Sequence, residues 1–140
     1  MAMKVRPRSA RRSGCPISIA LEIFGDTWSL LIVRDLMFKG LSTFNEFAGA
    51  GEGIATNVLA DRLARLGAAG ILVSQPDPDD ARRIRYRLTE KGVDLAPVLI
   101  EMVLWSARYE DTDAPDSTVR QMRKHRDQVI GDIRKRWAAK

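Results

Sequence analysis

The sequence predicts a mainly α-helical fold with one small β-hairpin, an α+β class, and three observations carry that expectation. Apolar residues recur at helical spacing along most of the chain, and strict alternation is confined to Ile84-Arg85-Tyr86-Arg87-Leu88. Glycine, proline and aspartate cluster where these segments must end, as at Pro76 to Ala81. At 140 residues and 45% apolar, the chain can bury a core without covalent staples.

Residues 1–14 carry Lys4, Arg6, Arg8, Arg11 and Arg12 beside Pro7 and Gly14 with no apolar period, and are expected to form a flexible basic arm. Pro16 suits the first turn of a helix in which Ile17, Ala20, Leu21 and Phe24 share a stripe and which Gly25 ends. Asp26 or Thr27 can cap a second helix. Trp28, Leu30, Leu31, Ile32, Val33, Leu36 and Met37 occupy nearly all its faces, as in a central buried helix, and it stops at Lys39-Gly40.

A short helix from Thr43 to about Ala48, with Phe44 and Phe47 turned inward, leads into Gly49-Ala50-Gly51-Glu52-Gly53. The next helix, about Thr56 to Ala69, aligns Leu59, Leu63 and Leu66 and ends at Gly67 and Gly70. Ile71 to Gln75 reads as a strand, and Ile84 to Leu88 as its partner across the turn. Thr89 can cap a long helix to about Tyr109, with Pro97 shortening or kinking its first turn. After a break at Asp111 to Pro115, one last helix is expected from about Asp116 to Ala138, its stripe Val119, Met122, Val129, Ile130, Ile133 and Trp137 needing a partner surface.

This order is that of a winged helix-turn-helix with long C-terminal helices: domain 15–109 for the fold and a dimerisation helix, and 115–140 for the added helix. Such an array can insert one helix into the major groove and lay its hairpin on the flanking backbone. At about 100° per residue, with the three leucines inward, the outward arc of the candidate recognition helix carries Asn57, Ala60, Asp61 and Ala64, with Arg65 at its flank. Asn57 can pair with adenine and Thr56 can reach a phosphate or a thymine methyl, although Thr56 could equally be a simple N-cap. Small Ala60 permits close approach. Asp61 reads best as an i,i+4 partner of Arg65.

The formal charge of +5 favours a polyanion. The cations gather in the arm, at Arg82, Arg83, Arg85 and Arg87, and at Arg120, Arg123, Lys124, Arg126, Arg134, Lys135 and Arg136. Arg82 and Arg83 fall at the hairpin tip, and Arg85 on the polar face of its strand. The three are candidates for phosphate or minor-groove contact, against the alternative of a charged edge that discourages aggregation. Arg62 completes the DNA-contact set of Thr56, Asn57, Ala60, Arg62, Arg65, Arg82, Arg83 and Arg85.

The run Cys15-Pro16-Ile17, Ala20-Leu21, Gly25-Asp26-Thr27-Trp28, Leu31-Ile32 and Arg34-Asp35-Leu36 resembles the opening of the HxlR-type winged-helix family. Phe44-Asn45-Glu46-Phe47, Ile54 to Leu63, Gly70-Ile71-Leu72 and Tyr86-Arg87-Leu88-Thr89-Glu90-Lys91-Gly92 are similar to its later signatures, so the likeness covers roughly 15–109. Phe47, where leucine is frequent, and the extended C-terminus depart from it. The resemblance implies a transcription factor, a repressor by expectation, that binds double-stranded DNA as a homodimer. Its interface would hold Leu95, Leu99, Met102 and Trp105, joined by helix one and, from the terminal helix, Ile130 and Ile133. A two-fold dimer predicts a pseudo-palindromic operator with half-sites about one duplex turn apart.

Cys15, at or beside the start of helix one, lies where the helix dipole and Arg11 and Arg12 attract negative charge. The resemblance makes it a candidate redox or electrophile sensor; without a second cysteine it would form an intersubunit disulfide or an adduct with a small thiol. The plain alternative is a partly buried helix-start residue with no redox role. One cysteine and one histidine do not make a zinc site, and no cofactor or metal is expected. The sequence contains no catalytic triad, paired-carboxylate or phosphate-loop pattern in a plausible setting, so an enzyme is not expected. Short apolar runs and the absence of a signal-peptide core point to a cytoplasmic protein with no membrane partner. The competing functions are a non-specific architectural DNA binder and a winged-helix module that binds protein.

Overall fold

The computed structural model describes residues 11–139; Lys4, Arg6 and Arg8 of the expected basic arm lie outside them. The chain divides into two units, Met1–Thr89 and Glu90–Lys140. The helix expected to complete the domain at 15–109 therefore groups with the C-terminal residues instead.

In the first unit, α1 (Pro16–Phe24) begins with proline in its first turn and closes on Gly25, whose N–H donates to the Leu21 carbonyl. No α1 residue is fully buried, and Ile17 and Leu21 stand in solvent. α2 (Ser29–Met37) is the central helix, burying Ile32, Val33, Leu36 and Met37. Asp26 caps it by accepting hydrogen bonds from the Trp28 and Ser29 N–H groups at 2.9 and 3.0 Å. Trp28 precedes the helix and is only half-buried.

α3 (Phe44–Ala48) is fixed by a capping box: the Thr43 hydroxyl accepts from the Glu46 N–H, while the Glu46 carboxylate accepts from the Thr43 N–H. Phe47 enters the core, where its ring meets Tyr86 at 5.9 Å. α4 (Thr56–Ala68) ends in a Schellman turn: Ile71 N–H donates to Leu66 and Gly70 N–H to Gly67, with Gly70 at φ +77°. That turn delivers Ile71 into the core and starts β1 (Leu72–Pro76), which pairs antiparallel with β2 (Ile84–Leu88) in register Leu72↔Leu88 to Pro76↔Ile84.

The second unit holds α5 (Glu90–Val93), α6 (Ala96–Tyr109), α7 (Asp116–Lys124) and α8 (Arg126–Ala138). Pro97 separates α5 from α6, because its missing N–H and its ring oppose a helix continuing from Val93. The single terminal helix expected from the sequence is two helices, broken at His125 with φ −128° and ψ 42°. Both pack with α6: Ile100, Met122 and Ile130 form one buried cluster with Val103, Leu104 and Val129 against it.

Candidate nucleic-acid interface

The face of α4 opposite its leucines sets the site. Leu59, Leu63 and Leu66 are buried, which turns Thr56, Asn57, Ala60, Ala64 and Arg65 to the exposed side. Ala55, in extended backbone, is the N-cap and makes no side-chain bond; Thr56 is the first helical residue. The first-turn N–H groups of this 13-residue helix thus receive no acceptor from the cap side chain. The turn before α4 passes through Gly51 and Gly53 at φ +96° and +75°, a region costly for any other residue. Arg34 ties that turn to the core: its guanidinium donates to buried Asp35 at 2.8 Å and to Glu52 of the turn at 2.8 Å.

Arg62 does not face outward with the helix's polar arc. Its Nε donates to Asp26 at 2.9 Å and its other arm meets Asp61, so α4 is pinned to the cap of α2. Arg62, expected among the DNA contacts, is thus engaged in holding α4 in place. Burial pushes the Asp26 carboxyl up. The Ser29 hydroxyl, the Trp28 N–H, Arg62 and the Ser29 N–H together outweigh that and hold it at about 2, against an ordinary 3.8. Asp61 also lies 3.9 Å from Arg65, the i,i+4 spacing read in the sequence.

At the hairpin, the turn is closed by Asp77 N–H donating to the Arg83 carbonyl at 2.8 Å and Arg83 N–H to that of Asp80 at 2.9 Å. Arg82 is almost fully exposed, its Nε 3.3 Å from Asp80, and Arg83 is exposed. Arg85 differs: its Nε donates to Asp77 at 2.5 Å and its Nη1 to the Ser42 hydroxyl at 2.6 Å. Expected as a candidate for phosphate or minor-groove contact, Arg85 stands half-buried between these two acceptors. Asp77 was missed by sequence reading. Its Asx-turn bond from the Asp79 N–H at 2.8 Å is the signal a P-D-P-D-D run carries, but its burial to 4% exposure leaves no mark in the sequence.

Among the expected dimer residues in the second unit, Met102 and Trp105 are exposed at 50% and 64%, whereas Leu95 is half-buried. Leu99, Ile130 and Ile133 are buried within the chain itself at 7%, 7% and 3% exposure, Ile130 in the cluster with Ile100 and Met122. The exposed stripe on α6 is instead Val98, Met102, Trp105 and Tyr109, with the last two rings 5.6 Å apart. Cys15 is exposed at the N-cap of α1. Among the described residues, no single helix is long and apolar enough to cross a membrane.

Residues 23–114, more than half of the chain, match the family model of the HxlR-like helix-turn-helix. The chain belongs to the HxlR-like helix-turn-helix family. It is 36% identical over 107 residues to an uncharacterized HTH-type transcriptional regulator of Mycobacterium tuberculosis, covering 76% of this chain and 66% of that protein, just under two thirds of its length. Among solved structures it resembles PA1607, described as a candidate transcription factor, at TM-score 0.67 and 38% identity over 77% of this chain and 74% of the other. It also resembles the reduced form of the transcriptional regulator YodB from Bacillus subtilis, at TM-score 0.57 and 30% identity over 69% and 95%. The same YodB is known in diamide-treated and quinone-bound forms. The two-stranded hairpin after α4 is the wing of this HxlR-like chain, and α3, the glycine turn and α4 are its helix-turn-helix.

Proposed function

We propose that this HxlR-like protein is a cytoplasmic transcriptional regulator, a repressor, that binds a pseudo-palindromic operator as a homodimer. The observation that carries the reading is the outward face of α4: Thr56, Asn57, Ala60 and Ala64 are small or polar and exposed on a helix whose other face is fixed in the core. In this reading α4 enters the major groove, Asn57 reads adenine, Thr56 and Arg65 reach the backbone, and Arg82 and Arg83 touch flanking phosphates or the minor groove. Exposed Val98, Met102 and Trp105 support self-association through α6, since an apolar stripe of this kind is stabilised by a second copy.

Exposure of Cys15 at a helix start supports a thiol that senses oxidants or electrophiles, and the diamide-treated and quinone-bound forms of YodB give that reading its chemical class. Cys15→Ser should abolish release of DNA by diamide while leaving DNA binding intact; a variant that still responds removes the sensor.

Selection from a random duplex library, followed by affinities for the best site and for scrambled DNA, tests the main reading. A two-fold motif bound about 10³-fold or more tightly than scrambled DNA, with the preference weakened by Asn57→Ala, is expected. Equal affinities with no motif would favour architectural binding, and no DNA binding at all would favour a protein-binding module.

A further inference from the structure

A two-stranded hairpin is marginal in isolation, so the angle at which the wing stands must be set by what ties it to the helices. Beside the Phe47–Tyr86 ring contact, two polar ties are present among the described residues of the first unit. The Tyr86 N–H donates to the Ser42 carbonyl at 2.7 Å, and the side chain of Arg85, one residue earlier, bridges Asp77 and the Ser42 hydroxyl. Asp77 sits at the base of the wing turn and Ser42 just ahead of α3, so one guanidinium spans the turn and the helix-turn-helix. Arginine suits this task because its fork offers donors in different directions from one rigid plane. Asp77 in turn requires a partner, since a carboxylate this buried is costly unless it is paired and hydrogen-bonded.

We propose that Arg85 is a positioning residue: by latching Asp77 to Ser42 it fixes the attitude of the wing tip, and with it the reach of Arg82 and Arg83 toward DNA. The inference rests on the DNA-binding reading above. It assigns the wing's cations two separate jobs. Arg82 and Arg83 present exposed heads, Arg82 with its Nε on the Asp80 carboxylate at the surface, whereas the Arg85 head is engaged on two sides by Asp77 and Ser42.

The test uses the full chain and its selected duplex, with affinity measured across a salt series for Arg85→Gln, Asp77→Asn, the double variant and, as contrast, Arg82→Ala. Loss of a phosphate contact flattens the slope of log affinity against log salt by about 0.9. The expected result is that Arg82→Ala flattens the slope, while Arg85→Gln and Asp77→Asn each weaken binding about tenfold with the slope unchanged, the double variant being no worse than either. Ser42→Ala, which removes one hydroxyl and leaves the buried pair intact, should weaken binding in the same direction by less. A flattened slope in Arg85→Gln with wild-type binding by Asp77→Asn would make Arg85 a direct phosphate ligand and overturn the latch, as would wild-type binding by both variants.

Amide hydrogen exchange separates this inference from the reading it rests on. Loss of Tyr86 N–H protection in Asp77→Asn and Ser42→Ala supports the latch even if the wild type proves to select no duplex, in which case it is the DNA-binding reading that fails. Unchanged protection there overturns the latch whatever the DNA result.

Discussion

Asp26→Asn tests how firmly α4 is anchored. The Asp26 carboxylate accepts from Trp28 N–H at 2.9 Å, Ser29 N–H at 3.0 Å, the Ser29 hydroxyl at 2.5 Å and Arg62 Nε at 2.9 Å. Its folded pKa of about 2 lies below the ordinary 3.8, so the stabilisation is fully present above about pH 4 and disappears as pH falls through about 2. That gap corresponds to about 2.4 kcal/mol at most. Because the side chain is 26% exposed, solvent screening reduces this to about 1–2 kcal/mol. Asparagine keeps an acceptor for the backbone cap but loses the charge that Arg62 and Ser29 bond. Urea unfolding followed by tryptophan fluorescence at pH 7 should therefore show the variant less stable by about 1–2 kcal/mol. Near pH 2 the wild-type advantage should largely vanish, since protonation removes the same charge and the other carboxylates are common to both proteins. An equal deficit at both pH values would refute the reasoning, because it would place the loss in the neutral cap and not in the ion pair.

Three further outcomes are expected. Ile133→Ala should lower stability by about 2–4 kcal/mol in denaturant without changing the sedimentation coefficient of the native protein, since Ile133 is core of the second unit. Trp105→Glu should do the converse: in the proposed homodimer it should shift the protein toward monomer in a sedimentation series at little cost to the fold, because Trp105 is 64% exposed. Gly53→Ala should cost about 1–2 kcal/mol in a thermal melt, since φ +75° strains an L-residue; open space around the site rules out a clash as the cause.

How far the sequence could be read depends on whether a residue's role is set by its near neighbours. The helix starts at Pro16 and Thr43, the α4 stop at Gly70 and the β2 strand follow from local chemistry and period, and these were legible. The outward face of α4 was legible for the same reason, since three leucines fix one side of the wheel and leave the other. Partners of charges were not. Alternation places Arg85 on a polar face of β2, but not whether that face meets water or a carboxylate eight positions back, and Arg62 finds Asp26 across 36 positions. Apolar stripes share this blindness: the spacing that carries Ile130 fits a second copy as well as it fits Ile100 on α6 of the same chain. Nor does the run Arg123-Lys124-His125-Arg126 hold any glycine or proline to announce the break at His125. The same stripe of apolar side chains continues through it, and on either side of the break Met122 and Ile130 meet Ile100, a tertiary contact that no local pattern encodes.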